Sequence, residues 1–217
     1  MPRLVVLLLL ALAAPAAAGP ESIYFYEDKD GVIHFTNVTP PSGTSTKWKR
    51  LPSGPGKASS ISGASSYAGC RASRQDARPA RDRAPERYVR YDPIIREAAD
   101  SYAIPEELIR AVIKVESDYD PQVISCAGAK GLMQIMPYEE KSQRLSDVFD
   151  PRQNILAGTR LLRINANRFR GDLVRTIASY HAGAGAVDKY GGIPPYETTQ
   201  QYVKMVLRQY ERYRNRG

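Results

Sequence analysis

Two scarcities bound the chemistry of this 217-residue chain, which has only two cysteines, Cys70 and Cys126, and two histidines, His34 and His181. Neither cysteine has the neighbouring His and Cys ligands that a zinc site needs, so no metal centre and no cofactor is expected. Long apolar runs are missing too: the longest, Leu4 to Ala14, has eleven residues, against the roughly 20 needed to span a bilayer. Acidic residues are the minority, 23 against 31 Lys plus Arg. That balance suits association with acidic polymers, whether nucleic acid, anionic lipid or cell wall, without choosing among them.

What is present at the N-terminus chooses. Arg3, the apolar run, Pro15 and the small residues Ala16, Ala17 and Ala18 form the pattern of a signal peptide over 1–18, cleaved after Ala18. No cysteine stands immediately after that point, where the chain continues Gly19-Pro20, so a lipoprotein anchor is not indicated, and no stable membrane span is expected after cleavage. Export to the periplasm, in the cell envelope, sets nucleic acid aside as a partner and leaves the sugar-rich wall as the polyanion to be met. It also permits a disulfide between Cys70 and Cys126. Cys70 stands in a low-complexity stretch, however, and two separate thiols remain an equal alternative.

Residues 19–52 read as a small β-rich module. Two β-prone runs, Ser22 to Asp28 and Val32 to Asn37, flank Asp30-Gly31, a strong hairpin signal. The segment resembles a small module of unknown function that opens many exported bacterial proteins, and Trp48 is placed to cover one face of the hairpin. From 53 to 92 the composition shifts to Ser, Gly, Ala, Pro and Arg. Over 52–92 there are eight basic and four acidic residues, which predicts a disordered, flexible basic linker. Residues 93–217 read as helices: Pro93 to about Tyr102; a helix with Pro105 at its first position and Glu106 and Glu107 in its first turn; one capped by Asp150 before Pro151; one capped by Asp172; and a last from about Thr198 to Tyr213. No alternating strand of useful length interrupts them. The fold class is all-α.

Within the second of these helices Glu116 stands four residues after Val112 and seven after Ile109, on or beside the apolar stripe. Taking a carboxyl out of water disfavours its charged form and raises its pKa, which keeps a glutamate protonated near neutral pH as a general acid. Alone, a glutamate at a helix end is more often a rim charge or an arginine's partner.

Its sequence context is more specific. Glu116-Ser117 leads through a short loop into Ser125-Cys126-Ala127-Gly128-Ala129-Lys130-Gly131-Leu132-Met133-Gln134-Ile135-Met136-Pro137. In the same order follow Phe149-Asp150-Pro151, Asn154-Ile155, Ala157-Gly158, Ser179-Tyr180-His181-Ala182-Gly183, Gly185-Ala186-Val187 and Tyr190 to Tyr196. This series resembles the catalytic domain of the soluble lytic transglycosylases (SLT type) and extends over nearly all of Pro93 to Tyr213. The resemblance implies a lysozyme-like, all-α catalytic domain acting on peptidoglycan glycan strands. It implies Glu116 as the sole catalytic acid and base, Ser125, Gln134 and Met136 as substrate-binding residues lining the cleft, and Tyr180 as the residue that steadies the substrate. Hydroxyl and amide groups suit sugar hydroxyls and N-acetyl groups, while Met and Tyr offer apolar faces to a pyranose. Gly128 and Gly131 permit a tight backbone.

An ordinary glycosidase uses two carboxylates across the bond. Asp118 and Asp120 follow Glu116 too closely for that, and Asp172 and Asp188 read as cap and surface residues. The resemblance implies instead that the substrate supplies the nucleophile, giving 1,6-anhydromuramic ends. Two positions depart from the family pattern. Glu139 stands where a threonine is usual, which alters one subsite, and His181 stands where an asparagine is usual, either as a hydrogen-bonding replacement or as a titrating group that makes activity pH-sensitive. The rival readings are a lysozyme-like hydrolase and a non-catalytic peptidoglycan-binding protein. A nucleic-acid binder is disfavoured by 18 basic against 15 acidic residues over 93–217, a poor electrostatic footprint. Protein partners in the wall machinery are left open.

Overall fold

The computed structural model describes residues 24–27, 29, 33–36, 43, 46–50 and 84–215. The expected signal peptide and residues 53–83 of the expected linker lie outside the described residues. Tyr24–Glu27 (β1) and Ile33–Thr36 (β2) pair antiparallel around the Asp30-Gly31 signal, with Glu27 opposite Ile33 and Tyr24 opposite Thr36. A third strand, Lys49–Arg50 (β3), joins the other edge of β1. Two basic residues carry no readable period, so this strand has no sequence signal of its own. Its neighbour Trp48 meets the Tyr26 ring edge-on at 4.6 Å, covering the hairpin as expected. The sheet also leans on the helical body, where Phe25 packs against the core and Lys204 lies 5.8 Å from its ring centre.

The helical body starts at Ala84, inside the stretch read as linker. Pro85–Tyr88 forms one 3-10 turn in which Arg87 is buried. The Arg87 guanidinium donates to the Asp118 carboxylate at 2.5 Å and to the Asp118 carbonyl at 2.9 Å, and Tyr88 meets Tyr119 edge-on at 5.3 Å. Arg87 is therefore a structural ion pair and not one of the linker's solvated cations.

The five helices expected from periodicity follow as Asp92–Tyr102 (α1), Glu106–Ser117 (α2), then, after a short helix Pro137–Ser142 (α3), Pro151–Arg168 (α4) and Leu173–Ala182 (α5), and, after a second short helix Ala184–Tyr190 (α6), Glu197–Arg214 (α7). Asp150 and Asp172 cap α4 and α5, each accepting a backbone N–H from three residues on, which satisfies donors that a helix start leaves orphaned. Pro105 is the N-cap of α2, one position outside its expected place. The helices α3 and α6 have six and seven residues, too few to show a helical period in sequence.

At the centre lies α2. Leu108, Ile109, Ala111, Val112 and Ile113 are all buried, and a helix apolar on most sides belongs inside a core. It packs on α7 and α1; α4 joins α1 to α5, and α5 touches both α6 and α7. Val203, Val206 and Leu207 of α7 complete the apolar layer.

One close approach fixes the loop after α2 against this body. Gly158 of α4 lies beneath buried Met133, so that a Cβ added there would sit 2.6 Å from its Sδ and 2.7 Å from its Cβ. Gly158→Ala is thus expected to lower stability by about 1–3 kcal/mol through overpacking, even though alanine favours a helix by ~1 kcal/mol over glycine. Urea unfolding measures the difference; a more stable variant would mean that the loop yields freely.

Candidate active site

The last turn of α2 carries Glu116 and Ser117, and the chain then leaves the helix through Asp118 and Tyr119, both left-handed at φ 51° and 68°. Two successive non-glycine residues in that region store strain. Arg87, Lys114 and the Tyr88 hydroxyl hold the Asp118 carboxylate, and fully buried Tyr119 packs against Tyr88. The strain is thereby anchored where the catalytic candidate sits.

The returning loop, residues 123–136, is fastened from three sides. From α2, Ser117 Oγ donates to the Leu132 carbonyl at 2.8 Å. From α4, Asn154 Nδ2 donates to the carbonyls of Lys130 at 3.0 Å and Val148 at 2.7 Å, and its Oδ1 accepts the Met133 N–H at 2.7 Å. From α5, the Tyr180 hydroxyl donates to the Met133 carbonyl at 2.7 Å. Gly131, at φ 77°, passes so near that a Cβ would lie 2.3 Å from Asn154 Nδ2, which leaves no room for a side chain.

Several residues expected to bind sugar use their polar groups to build this loop. Ser125 is 5% exposed, and its Oγ accepts the Ala129 N–H at 3.0 Å. Gln134, left-handed at φ 50°, donates Nε2 to the carbonyls of Val123 and Gly131 at 3.1 and 3.0 Å. Met136, at the N-cap of α3, is 36% exposed. Glu139 sits half-buried in the first turn of α3, while Glu140 pairs with Lys130 at 2.9 Å. Cys126, beside Ser125, is disulfide-bonded. The alternative of two separate thiols is therefore set aside; Cys70, the only other cysteine, lies outside the described residues.

Glu116 itself is 7% exposed. Burial pushes its carboxyl up to about 7, against the opposing effect of the Tyr202 hydroxyl, which donates to Oε1 at 2.6 Å. Tyr202 comes from α7, 86 positions away, and was not among the residues singled out from sequence. The available signal was a tyrosine beside Val203 on the apolar face of the last helix. Against the Tyr202 ring stacks His181 of α5, with centroids 4.5 Å apart and planes 28° apart, and its Nδ1 lies 3.2 Å from Thr199 Oγ1. Burial lowers the His181 pKa to about 4, so the ring is neutral through the physiological range. That removes it as a titrating switch near neutral pH.

The other acids weighed as partners for Glu116 are occupied. Asp118 is held as described, and Asp120 accepts the Gln122 N–H at 2.9 Å in a local turn. Asp172 caps α5, and Asp188 pairs with Arg168. A single protonated carboxyl, dry and hydrogen-bonded by one phenol, is suited to donate a proton to a leaving oxygen and then recover one.

Comparison with known proteins converges on this region. The family profile of the transglycosylase SLT domain matches residues 93–203, and that of a domain of unknown function (DUF4124) matches residues 7–85. A transglycosylase of Enterobacteria phage PRD1 is 39% identical over 89 residues, covering 41% of this chain and 33% of its own. A membrane-bound lytic murein transglycosylase C of Haemophilus influenzae is 33% identical over 143 residues, covering 55% of this chain and 40% of its own. A solved complex of the 70-kDa soluble lytic transglycosylase with bulgecin A superposes with a TM-score of 0.55 at 29% identity, over 60% of this chain and 25% of that one. The chain thus spans between a quarter and two fifths of the length of these proteins.

The raised pKa of Glu116 makes its ionisation a load on the fold. The folded state binds the proton more tightly than the unfolded chain, so the stability contributed by the protonated carboxyl is whole below pH 4.5 and is lost as pH rises through about 7. The loss amounts to roughly 3 kcal/mol at high pH. Glu116→Gln keeps an acceptor for Tyr202 and never ionises. Its Tm is expected to match the parent near pH ~4 and exceed it near pH ~8.5; an equal difference at both would place the carboxyl in the ordinary range.

Proposed function

Because the chain belongs to the transglycosylase SLT domain family, whose profile it matches over residues 93–203, we propose that it is a peptidoglycan lytic transglycosylase. It cleaves the β-1,4 bond between N-acetylmuramic acid and N-acetylglucosamine without water and leaves 1,6-anhydromuramic ends. The observation that carries this reading is the single buried carboxyl of Glu116 with its pKa near 7.

In the first half of the reaction Glu116 gives its proton to the glycosidic oxygen, so the leaving sugar departs as an alcohol. The muramic N-acetyl carbonyl stabilises C1 as the bond breaks. In the second half the C6 hydroxyl of the same muramic residue attacks C1 and passes its proton to the Glu116 carboxylate, which restores the acid. Atoms balance within the substrate, and one residue serves both steps. A pKa near the working pH favours a group that must both give and take a proton. Tyr202 suits the same cycle: its O–H bond to Oε1 strengthens when the carboxyl becomes anionic.

In this reading Ser125, Gln134 and Tyr180 shape the cleft wall by fastening the 123–136 loop, and Met136 offers an apolar surface to a sugar ring. The site of action is the cell envelope on the periplasmic side, supported by the apolar N-terminal run and small residues of a signal peptide. Among the described residues no helix is long and apolar enough to cross a membrane.

Digestion of purified peptidoglycan, with products weighed by mass spectrometry, tests the reaction. Anhydro ends, one water lighter than reducing ends, are expected from the parent. Glu116→Gln is expected to lose at least ~10²-fold in rate, the lower end of what general acid catalysis supplies. Reducing-end products would assign a hydrolase instead. Glu139→Thr is expected to leave folding intact and to change the length distribution of products; an unchanged distribution on every glycan length would make Glu139 a solvated surface position.

A further inference from the structure

The end of α5 places two aromatic rings in succession, and they contact different elements. Tyr180 bonds the Met133 carbonyl in the 123–136 loop, while His181 stacks on Tyr202 of α7. Successive helical residues point about 100° apart, so one helix end touches both the loop and α7. The family pattern has an asparagine at the second position; this chain has an imidazole.

The contacts of His181 are specific in geometry. Its ring lies nearly parallel to that of Tyr202, 28° between planes and 4.5 Å between centres, and Nδ1 reaches Thr199 Oγ1 at 3.2 Å. Thr199 is 1% exposed and stands on the same helix as Tyr202, three residues earlier. His181 therefore grips α7 at two points one turn apart, a buried hydroxyl and the ring that must be aimed. Tyr202 is 3% exposed, and its hydroxyl is what Glu116 meets at 2.6 Å. An asparagine could keep the hydrogen bond to Thr199 but offers no ring to stack.

Resting on the transglycosylase reading above, we propose that His181 is a positioning residue: by stacking on Tyr202 and bonding Thr199 it holds the Tyr202 hydroxyl on the Glu116 carboxyl and so governs the rate of bond cleavage. It acts through Tyr202. The consequence falls on the chemical step, because a phenol displaced by an ångström no longer stabilises the carboxylate formed when Glu116 gives up its proton. Binding of the glycan is left nearly unchanged.

The test compares His181→Ala, His181→Asn and His181→Phe, each alone and combined with Tyr202→Phe, on glycan strands prepared from peptidoglycan. His181→Ala is expected to lower kcat about tenfold with KM within about twofold. His181→Phe keeps a ring over Tyr202 and His181→Asn keeps a partner for Thr199, so each is expected to recover part of the loss. In the Tyr202→Phe background His181→Ala is expected to add nothing, as for residues acting in series. A second readout needs no turnover: the Glu116 carboxyl, followed by carbon NMR, is expected to titrate higher in His181→Ala than in the parent, since the Tyr202 bond is what lowers its pKa. The basic limb of the pH profile should move up with it. Multiplicative losses in the double variant, a loss confined to KM, or an unmoved Glu116 titration would overturn the proposal. An inactive parent whose Glu116 titration still responds to His181→Ala would instead reject the transglycosylase reading and keep the positioning role.

Discussion

Everything in the helical body bears on one contact, the Tyr202 hydroxyl against the Glu116 carboxyl at 2.6 Å in a site nearly closed to water. Burial alone would leave a neutral acid that resists giving up its proton. The phenol opposes burial by stabilising the anion, and the two effects together leave the carboxyl near 7, between the ordinary glutamate value and that of a group too reluctant to ionise. To hold that contact, α2 must lie against α7 along its apolar face, and the packing of Val112, Ile113, Val203 and Val206 is thus part of the acid's environment as well as of the core.

The loop after α2 is built on a different principle. Its residues 123–136 form little regular structure beyond two isolated bridges through Lys130, so its shape depends on side chains that pair its backbone groups. Asn154 alone satisfies two of them, and Ser117, Gln134 and Tyr180 satisfy others. Buried polar side chains with every bond made specify one conformation. They also explain why residue types suited to sugar recognition need not point at sugar. The strained turn at Asp118 and Tyr119 joins the two parts, and the buried Arg87 ties that turn to the chain just ahead of α1.

Much of this was legible from sequence, and the residues show where legibility ends. Helices with periods of ten or more residues, and caps such as Asp150 and Asp172, are local signals and appear where expected. The burial of Glu116 follows from its place on the stripe of α2. Tyr202 was missed because its role exists only when α7 lies across α2, a relation between residues 86 positions apart. The helices α3 and α6 were missed for shortness, and the turn at Arg87 because an arginine in a low-complexity stretch looks solvated until its partner, Asp118, is brought to it.

The ionisation of Glu116 is the quantity on which the account stands. Labelling glutamate carboxyls with carbon-13 and following the Glu116 signal through a pH titration of the folded protein measures it without reference to substrate. The account predicts a midpoint near 7, shifted further upward in Tyr202→Phe. A midpoint near 4.5, the value of an exposed glutamate, would contradict it.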